Sequence, residues 1–316
     1  MNTLLFVNDG QPACGVHSYG KRVAQIFKGS RKWNVVYVEP SSTLNLWYLA
    51  RELKPEVILY NYLPQTLPLV THPLVTGFRQ DGIKQGLLVH NINPVEIFDF
   101  YLHQNPRHSE SRNNFPLLRP LFDYKPKSEP YLEIDFQEVR LHPPRIGTFG
   151  FALPEKNYAS IVQLVNAQFD EAEIRMHLTL SHYRPNVDWL NTIQAACYHE
   201  VRKPGIKLTI TSDFRDDQAI LDFLAGNDLN VFLYQHFPHY NGISSVIDYA
   251  LSVRKPIAVN KSGLFSHING AHPSICVEER SLPEIMQDGF GSLTLIANEW
   301  RTDQFISHLE GVLERV

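Results

Sequence analysis

Cysteine is scarce in this chain: Cys14, Cys197 and Cys276 are its only three. Odd in number and far apart, they argue against a disulfide framework and against a cysteine-based zinc site. Cys14 has no general-base partner near it in sequence and reads as a small buried or loop thiol. Long apolar runs are missing too. No stretch approaches the roughly 18 consecutive apolar residues of a membrane span, so no transmembrane segment is expected. Met1-Asn2-Thr3 leads straight into a strand pattern rather than a basic-then-apolar leader, which makes a cytoplasmic location the expectation. Positive charge is not in excess either. The formal net charge is -4 and no local basic patch stands out, so nucleic acid is not an expected partner. The first half has no basic amphipathic helix to anchor it on a lipid surface, and no short repeat recurs.

What is present is an ordinary soluble composition, 43% hydrophobic and 20% charged, over 316 residues, which is enough for two cores. Residues 4–7 read as a strand ending at Asn8-Asp9-Gly10, followed by a helix over 16–27. A strand at 33–38, a helix at 44–53 and a strand at 57–60 continue a βαβαβ rhythm, the pattern of a parallel sheet. A fourth strand closes at His90, with a helix expected to begin near Val95. From 115 to 141 the chain is interrupted by proline and suits an edge strand or hairpin. A linker falls at His142-Pro143-Pro144. The alternation then resumes: strands at 174–180, 207–211, 231–234 and 256–259, with helices at 158–169, 187–199, from 216 through 224, 243–253 and 301–316. The expected fold class is α/β, two doubly wound Rossmann-like domains facing a cleft. The first spans 1–143 and the second 144–316, the terminal helix being free to cross back onto the first.

The run from Gly147 to Lys156 carries the most information, because an apolar strand breaks at glycine and delivers a lysine into a strand-to-helix loop. Such loops lie at the carboxyl ends of parallel strands, where ligands bind. Helix N-termini there favour anions through free amides and the dipole. A solvated loop charge is the plainer reading of Lys156 taken alone.

Four stretches together resemble the GT-B glycosyltransferases, most closely the retaining group called family four. Cys14-Gly15-Val16-His17-Ser18-Tyr19 is similar to that family's amino-terminal glycine loop, with Cys14 in place of the first glycine. Leu87-Leu88-Val89-His90 is similar to its fourth strand, which ends in a cleft-facing histidine. Gly150-Phe151-Ala152-Leu153-Pro154-Glu155-Lys156 resembles its donor-diphosphate loop, where an arginine and a lysine grip phosphate; Phe151 stands at the arginine position. The stretch from His239 to Leu251 resembles the segment with two glutamates eight residues apart, and here those positions hold Asn241 and Tyr249.

The resemblance implies transfer of a sugar from a nucleotide-diphosphate sugar to an acceptor, a glycan or lipid-linked molecule being possible. It implies a retaining, metal-independent reaction in glycan biosynthesis, with no cofactor. Residue by residue it assigns His90 as the catalytic residue, and Gly15, Lys156, Gly242, Ser244 and Ser245 to donor phosphate. Asn241, Tyr19 and Arg184 become donor or acceptor contacts, Arg184 as a stand-in for the missing arginine. Ser244 and Ser245 also read simply as helix caps. In such a reaction the donor phosphate can take the acceptor proton, and the protein positions reactants and stabilises the leaving diphosphate. An inverting reaction would instead need a base, for which Asp9 and His17 are the nearest candidates. The metal-dependent alternative expects an Asp-X-Asp stop; Asp216-Asp217 lacks that spacing. Because the arginine and both glutamates are replaced, a catalytically silent binding or scaffold protein is the rival reading, and a sugar-nucleotide epimerase a further one.

Overall fold

The structure is a computed structural model, and it describes all residues except 12–13, 65, 91–95, 126–141, 183 and 236–241. The described residues form two compact α/β units. The first comprises Met1–Pro120, the described part of 238–245 and Glu299–Val316; the second comprises the described part of Leu121–Phe237 and Val246–Asn298.

In the first unit the chain runs β1 (Asn2–Val7), α1 (Gly15–Phe27), β2 (Trp33–Val38), α2 (Thr43–Leu53), β3 (Val57–Tyr62), α3 (His72–Gln80), β4 (Lys84–Val89), β5 (Phe100–His103) and β6 (Asn114–Pro116). All the strand pairs are parallel, in the order β2-β1-β3-β4-β5-β6. Successive side chains on a strand face opposite ways, and β1 uses this to feed two cores. Leu4 and Phe6 join Val23 and Phe27 of α1, whereas Leu5 and Val7 join Leu46 of α2 and Val75 and Phe78 of α3. Ser42 caps α2 by accepting the Asn45 amide at 3.1 Å. The last helix of the chain, labelled α10 below, also belongs to this unit: Phe305, Leu309, Val312 and Leu313 lie in the cluster with Leu4 and Phe27. Each such apolar side chain contributes about 1.5–3 kcal/mol when fully buried.

In the second unit the order is β7 (Arg145–Phe151), α4 (Tyr158–Gln168), β8 (Ala172–Thr179), α5 (Val187–His199), β9 (Ile206–Thr211), α6 (Asp217–Ala225), β10 (Leu229–Phe232), α7 (Val246–Ser252), β11 (Ile257–Val259), α8 (Leu282–Gln287) and α9 (Thr294–Glu299), with α10 (Thr302–Leu313) returning to the first unit. Its sheet is also parallel, ordered β11-β10-β7-β8-β9. Asp216 caps α6 through the Ala219 amide at 2.8 Å, and Asn186 caps α5 through the Trp189 amide at 3.0 Å. The two doubly wound sheets agree with the expected fold class.

Three local expectations are corrected. The helix expected near Val95 is not found at 96–103: residues 96–99 are turns and bends and 100–103 form β5, while 91–95 lie outside the described residues. The aromatic run Phe100-Tyr101 favours a strand, and Asp99 fixes it beside β4 by accepting from the Gln85 amide at 2.9 Å and Arg79 Nε at 2.8 Å. Strand β10 stops at Phe232 rather than 234, and α7 starts at Val246, so Ser244 and Ser245 precede it.

Candidate functional site

In a parallel α/β sheet ligands bind outside the carboxyl ends of the strands, where the strand order reverses. The second unit reverses between β7 and β10. Strand β7 ends in Gly150-Phe151, with Gly150 at φ +148°, and a short 3-10 turn, Pro154–Lys156, leads through Asn157 (φ 52°) into α4. The turn is stapled in place. Tyr158 Oη donates to the Phe151 carbonyl at 2.9 Å, and the Gln235 amide donates to the Glu155 carbonyl at 2.9 Å. Lys156 therefore emerges beside the residues that follow β10. Its Nζ donates to Tyr234 Oη at 2.5 Å and lies 3.8 Å from the centroid of that ring. Burial pushes the Lys156 pKa down to about 7, against the pull of Glu155.

Arg184, in the loop after β8, reaches the same turn. It donates to Glu155 Oε1 at 2.5 Å and stacks over Trp189 at 4.8 Å. The structure thus brings Lys156 and Arg184 to one turn, with Arg184 committed to the carboxylate beside the lysine. Phe151, at the expected arginine position, is half-buried. Tyr249, at the second glutamate position, belongs to the core: it is 8% exposed, its Oη bonds Asp217 at 2.6 Å, and its ring meets Phe122 and Phe149. Asn241 lies outside the described residues. Gly242, Ser244 and Ser245 group with the first unit; Ser244 is buried and the other two half-buried.

The first unit reverses between β1 and β3, and polar side chains gather at that end of the sheet. Asn61, completely buried near the end of β3, donates from Nδ2 to Asn8 Oδ1 at 2.6 Å and to the Val16 carbonyl at 2.8 Å. Its Oδ1 is therefore the acceptor for His90 Nε2 at 2.6 Å, which fixes the proton of the imidazole on Nε2. Gln104 Nε2 donates to the other ring nitrogen, and Arg119 Nη1 donates to Gln104 Oε1 at 3.3 Å. In the opposite direction Asn8 Nδ2 donates to Tyr37 Oη at 2.9 Å, and Tyr37 donates to Glu39 Oε1 at 2.5 Å. Glu39 also holds His17 Nε2 at 2.9 Å.

His90 thus has a partner on each ring nitrogen. Desolvation, with Arg119 adding to it, lowers its pKa to about 3, so the ring is neutral at pH 7. Tyr19 sits edge-on to it at 5.8 Å and beneath the Arg119 guanidinium at 4.6 Å, and is 2% exposed. Gly15 is the first residue of α1. Gly15, Tyr19 and His90 therefore share one end of one sheet. The residues that the sequence did not single out are Asn8, Asn61, Gln104 and Arg119. An asparagine at the end of each of two strands was the available signal. Among the described residues no cluster of three or more histidine, cysteine, aspartate or glutamate side chains could hold a metal, and no helix is long and apolar enough to cross a membrane.

No family model matches the chain, and no curated protein sequence matches it. Solved structures do. The chain is similar to HepE of Anabaena in complex with UDP and glucose, at a TM-score of 0.65 and 13% identity, with all of both chains covered. It is similar to the Thermobaculum terrenum O-GlcNAc transferase at a TM-score of 0.60 and 13% identity, covering 99% of this chain and 67% of that one. An α-glucosyltransferase in complex with UDP matches at 0.56 and 11% identity, over 98% and 94% of the two chains. These are GT-B glycosyltransferase structures, and the two parallel-sheet units share their fold.

Proposed function

We propose that the chain is a glycosyltransferase that moves a sugar from a nucleotide-diphosphate sugar, with a uridine diphosphate sugar as the donor, to an acceptor hydroxyl. The observation that carries this reading is Lys156, held on Tyr234 at the strand-order reversal between β7 and β10. A cation there meets an anionic ligand in the place where open α/β sheets bind one. The second unit takes the donor and the first unit the acceptor. The uridine assignment draws on the shared fold with structures that hold UDP.

In this reading the donor C1–O bond to phosphate breaks as the acceptor oxygen bonds C1, and the departing phosphate oxygen takes the acceptor proton. No protein base and no metal is required, and the anomeric configuration is retained. The protein lowers the barrier by positioning the reactants and stabilising negative charge on the diphosphate, for which Lys156 is the principal group. His90 acts as a neutral imidazole that shapes the acceptor end of the first unit. The resemblance also assigns Gly15, Gly242, Ser244 and Ser245 to donor phosphate and Asn241 and Tyr19 to sugar contacts; the described ones among these residues belong to the first unit, and Tyr19 is buried there.

A thermal-shift panel of UDP-, GDP-, ADP- and CMP-sugars tests the reading. A donor at 100 times its dissociation constant stabilises the folded chain by about 2.7 kcal/mol, and UDP-sugars are expected to give the largest shift. The second reading, a silent binding or scaffold protein, is favoured by Phe151 and by Tyr249, which is locked to Asp217 where a glutamate would face the sugar. Absence of a shift with every donor would turn the conclusion to it.

A further inference from the structure

Tyr234 lies two residues beyond the end of β10, where strand pairing has ceased, yet its backbone is held as though the ladder continued. Asn260, the residue after β11, accepts from the Tyr234 amide at 3.1 Å and donates to the Tyr234 carbonyl at 2.7 Å. One side-chain amide thus replaces the pair of bonds that a longer β11 would have made. Ser262 Oγ donates to the next carbonyl, Gln235 O, at 3.2 Å, and the Tyr234 ring packs on Phe265 with centroids 4.8 Å apart. Tyr234 is 2% exposed, while Lys156 is half-buried. The phenol is the fixed member of the pair and the amine the member nearer solvent.

We propose that Tyr234 is a positioning residue for anion binding: its clamped phenol accepts one N–H of Lys156 and directs the other two toward phosphate oxygens of a nucleoside diphosphate. An ammonium has three donors and no acceptor, so one bond to a fixed oxygen determines where the others point. The partner is neutral. A carboxylate in its place would cancel the charge that the phosphate needs; the nearby carboxylate, Glu155, is paired to Arg184 instead. The titratable groups around the amine are Glu155 and Arg184 on the loops, Tyr158 on α4, whose hydroxyl borders Gly150 next to the lysine, and Tyr234 itself. With Phe151 at the expected arginine position, a pre-aimed single lysine takes over work that two cations would share. The inference rests on the donor reading above.

The experiment has a ligand-free arm and a ligand arm, both on the full chain with Tyr234→Phe, which keeps the ring. In the first, lysine side chains carrying carbon-13 at Cε are titrated by NMR, with Lys156→Gln identifying the signal. Loss of the acceptor oxygen destabilises the charged amine, so the Lys156 midpoint should move to lower pH in Tyr234→Phe. In the second, UDP affinity is measured by calorimetry from pH 6 to 9. A hydrogen bond to a charged group is worth enough that the variant should bind UDP about tenfold or more weakly. Its affinity should also fall off at lower pH than that of the wild type, and by linkage its melting temperature without ligand at neutral pH should be no higher than that of the wild type. Asn260→Ala should weaken UDP binding in the same direction. An unmoved lysine midpoint overturns the positioning role whatever UDP does. A moved midpoint with equal UDP affinity overturns the phosphate half and leaves the donor reading standing. A moved midpoint in a wild type that binds no nucleoside diphosphate overturns that half together with the donor reading.

Discussion

Arg119 and Glu39 are the two ends of one hydrogen-bond chain in which every link donates in the same direction. From the guanidinium it passes through Gln104, His90, Asn61, Asn8 and Tyr37 to the carboxylate. A chain polarised from cation to anion reinforces each of its bonds. It also leaves no member free to turn over, because each amide is oriented by both of its neighbours.

Asn61 is the middle of this chain and completely buried. Asn61→Ala would leave the His90 Nε2 proton and Asn8 Oδ1 without their partners, at a cost of about 2–4 kcal/mol. Urea unfolding followed by circular dichroism should show that loss, with an unchanged slope in denaturant. A cost near zero would mean that the chain reorganises around the gap.

His90 should give the protein a characteristic acid sensitivity. Its folded pKa is about 3, whereas the unfolded value is about 6.5. Below the unfolded value the unfolded chain binds a proton that the folded chain refuses. Stability present above that pH is therefore lost as the pH falls toward the folded value, by at most about 1.4 kcal/mol per unit. His177, lowered to about 4, acts in the same sense and stays in the variant. His90→Gln should thus flatten, not abolish, the decline in unfolding free energy between about pH 6 and 4. In a transfer assay the same variant should lower turnover more than donor affinity; full turnover would make His90 purely structural.

Gly150 is required by its backbone. At φ +148° an L side chain is strained, and a Cβ there would lie 2.9 Å from Tyr158 Oη, the group that holds the Phe151 carbonyl. Gly150→Ala should cost about 1–3 kcal/mol and lower the melting temperature. If the turn before Lys156 shifts in response, nucleotide affinity should fall as well. A variant with wild-type stability would show that this part of β7 relaxes easily.

Much of the fold was legible because strands β1, β2 and β8 alternate or run apolar and the helices between them carry apolar residues at helical spacing. Helix α3 was not anticipated, since His72-Pro73 at its start and Thr76-Gly77 inside it carry low helix propensity. Strand β5 stands where a helix beginning near Val95 is expected, because Phe98, Phe100, Tyr101 and Leu102 form an apolar run too short for periodicity to separate strand from helix. Lys156 was visible from the sequence as a loop lysine. Tyr234 and Asn260 were not, because their link to it exists only once β10 and β11 lie beside β7. The same holds for Asn61 and Gln104, which meet His90 across 29 and 14 residues of chain.

Lys156 should behave oppositely toward stability and binding. A lysine whose pKa is pushed down to about 7, from roughly 10.4 when unfolded, destabilises the fold at neutral pH. The unfolded chain holds its proton throughout the interval between those values, so the contribution of this group is fully present only above the unfolded value and is lost as the pH falls toward 7. Lys156→Met keeps the apolar stem and removes the ionisable end, and should stabilise the protein at pH 7 by about 1–2 kcal/mol. The same substitution removes the cation proposed to meet the diphosphate and should abolish detectable UDP binding by calorimetry. A lysine that merely fills a loop would lose little of either quantity, and one that anchors the turn through Tyr234 alone would lose stability. A higher melting temperature together with lost nucleotide binding is the result expected of a site residue, whose destabilising burial is tolerated because the ligand needs the charge.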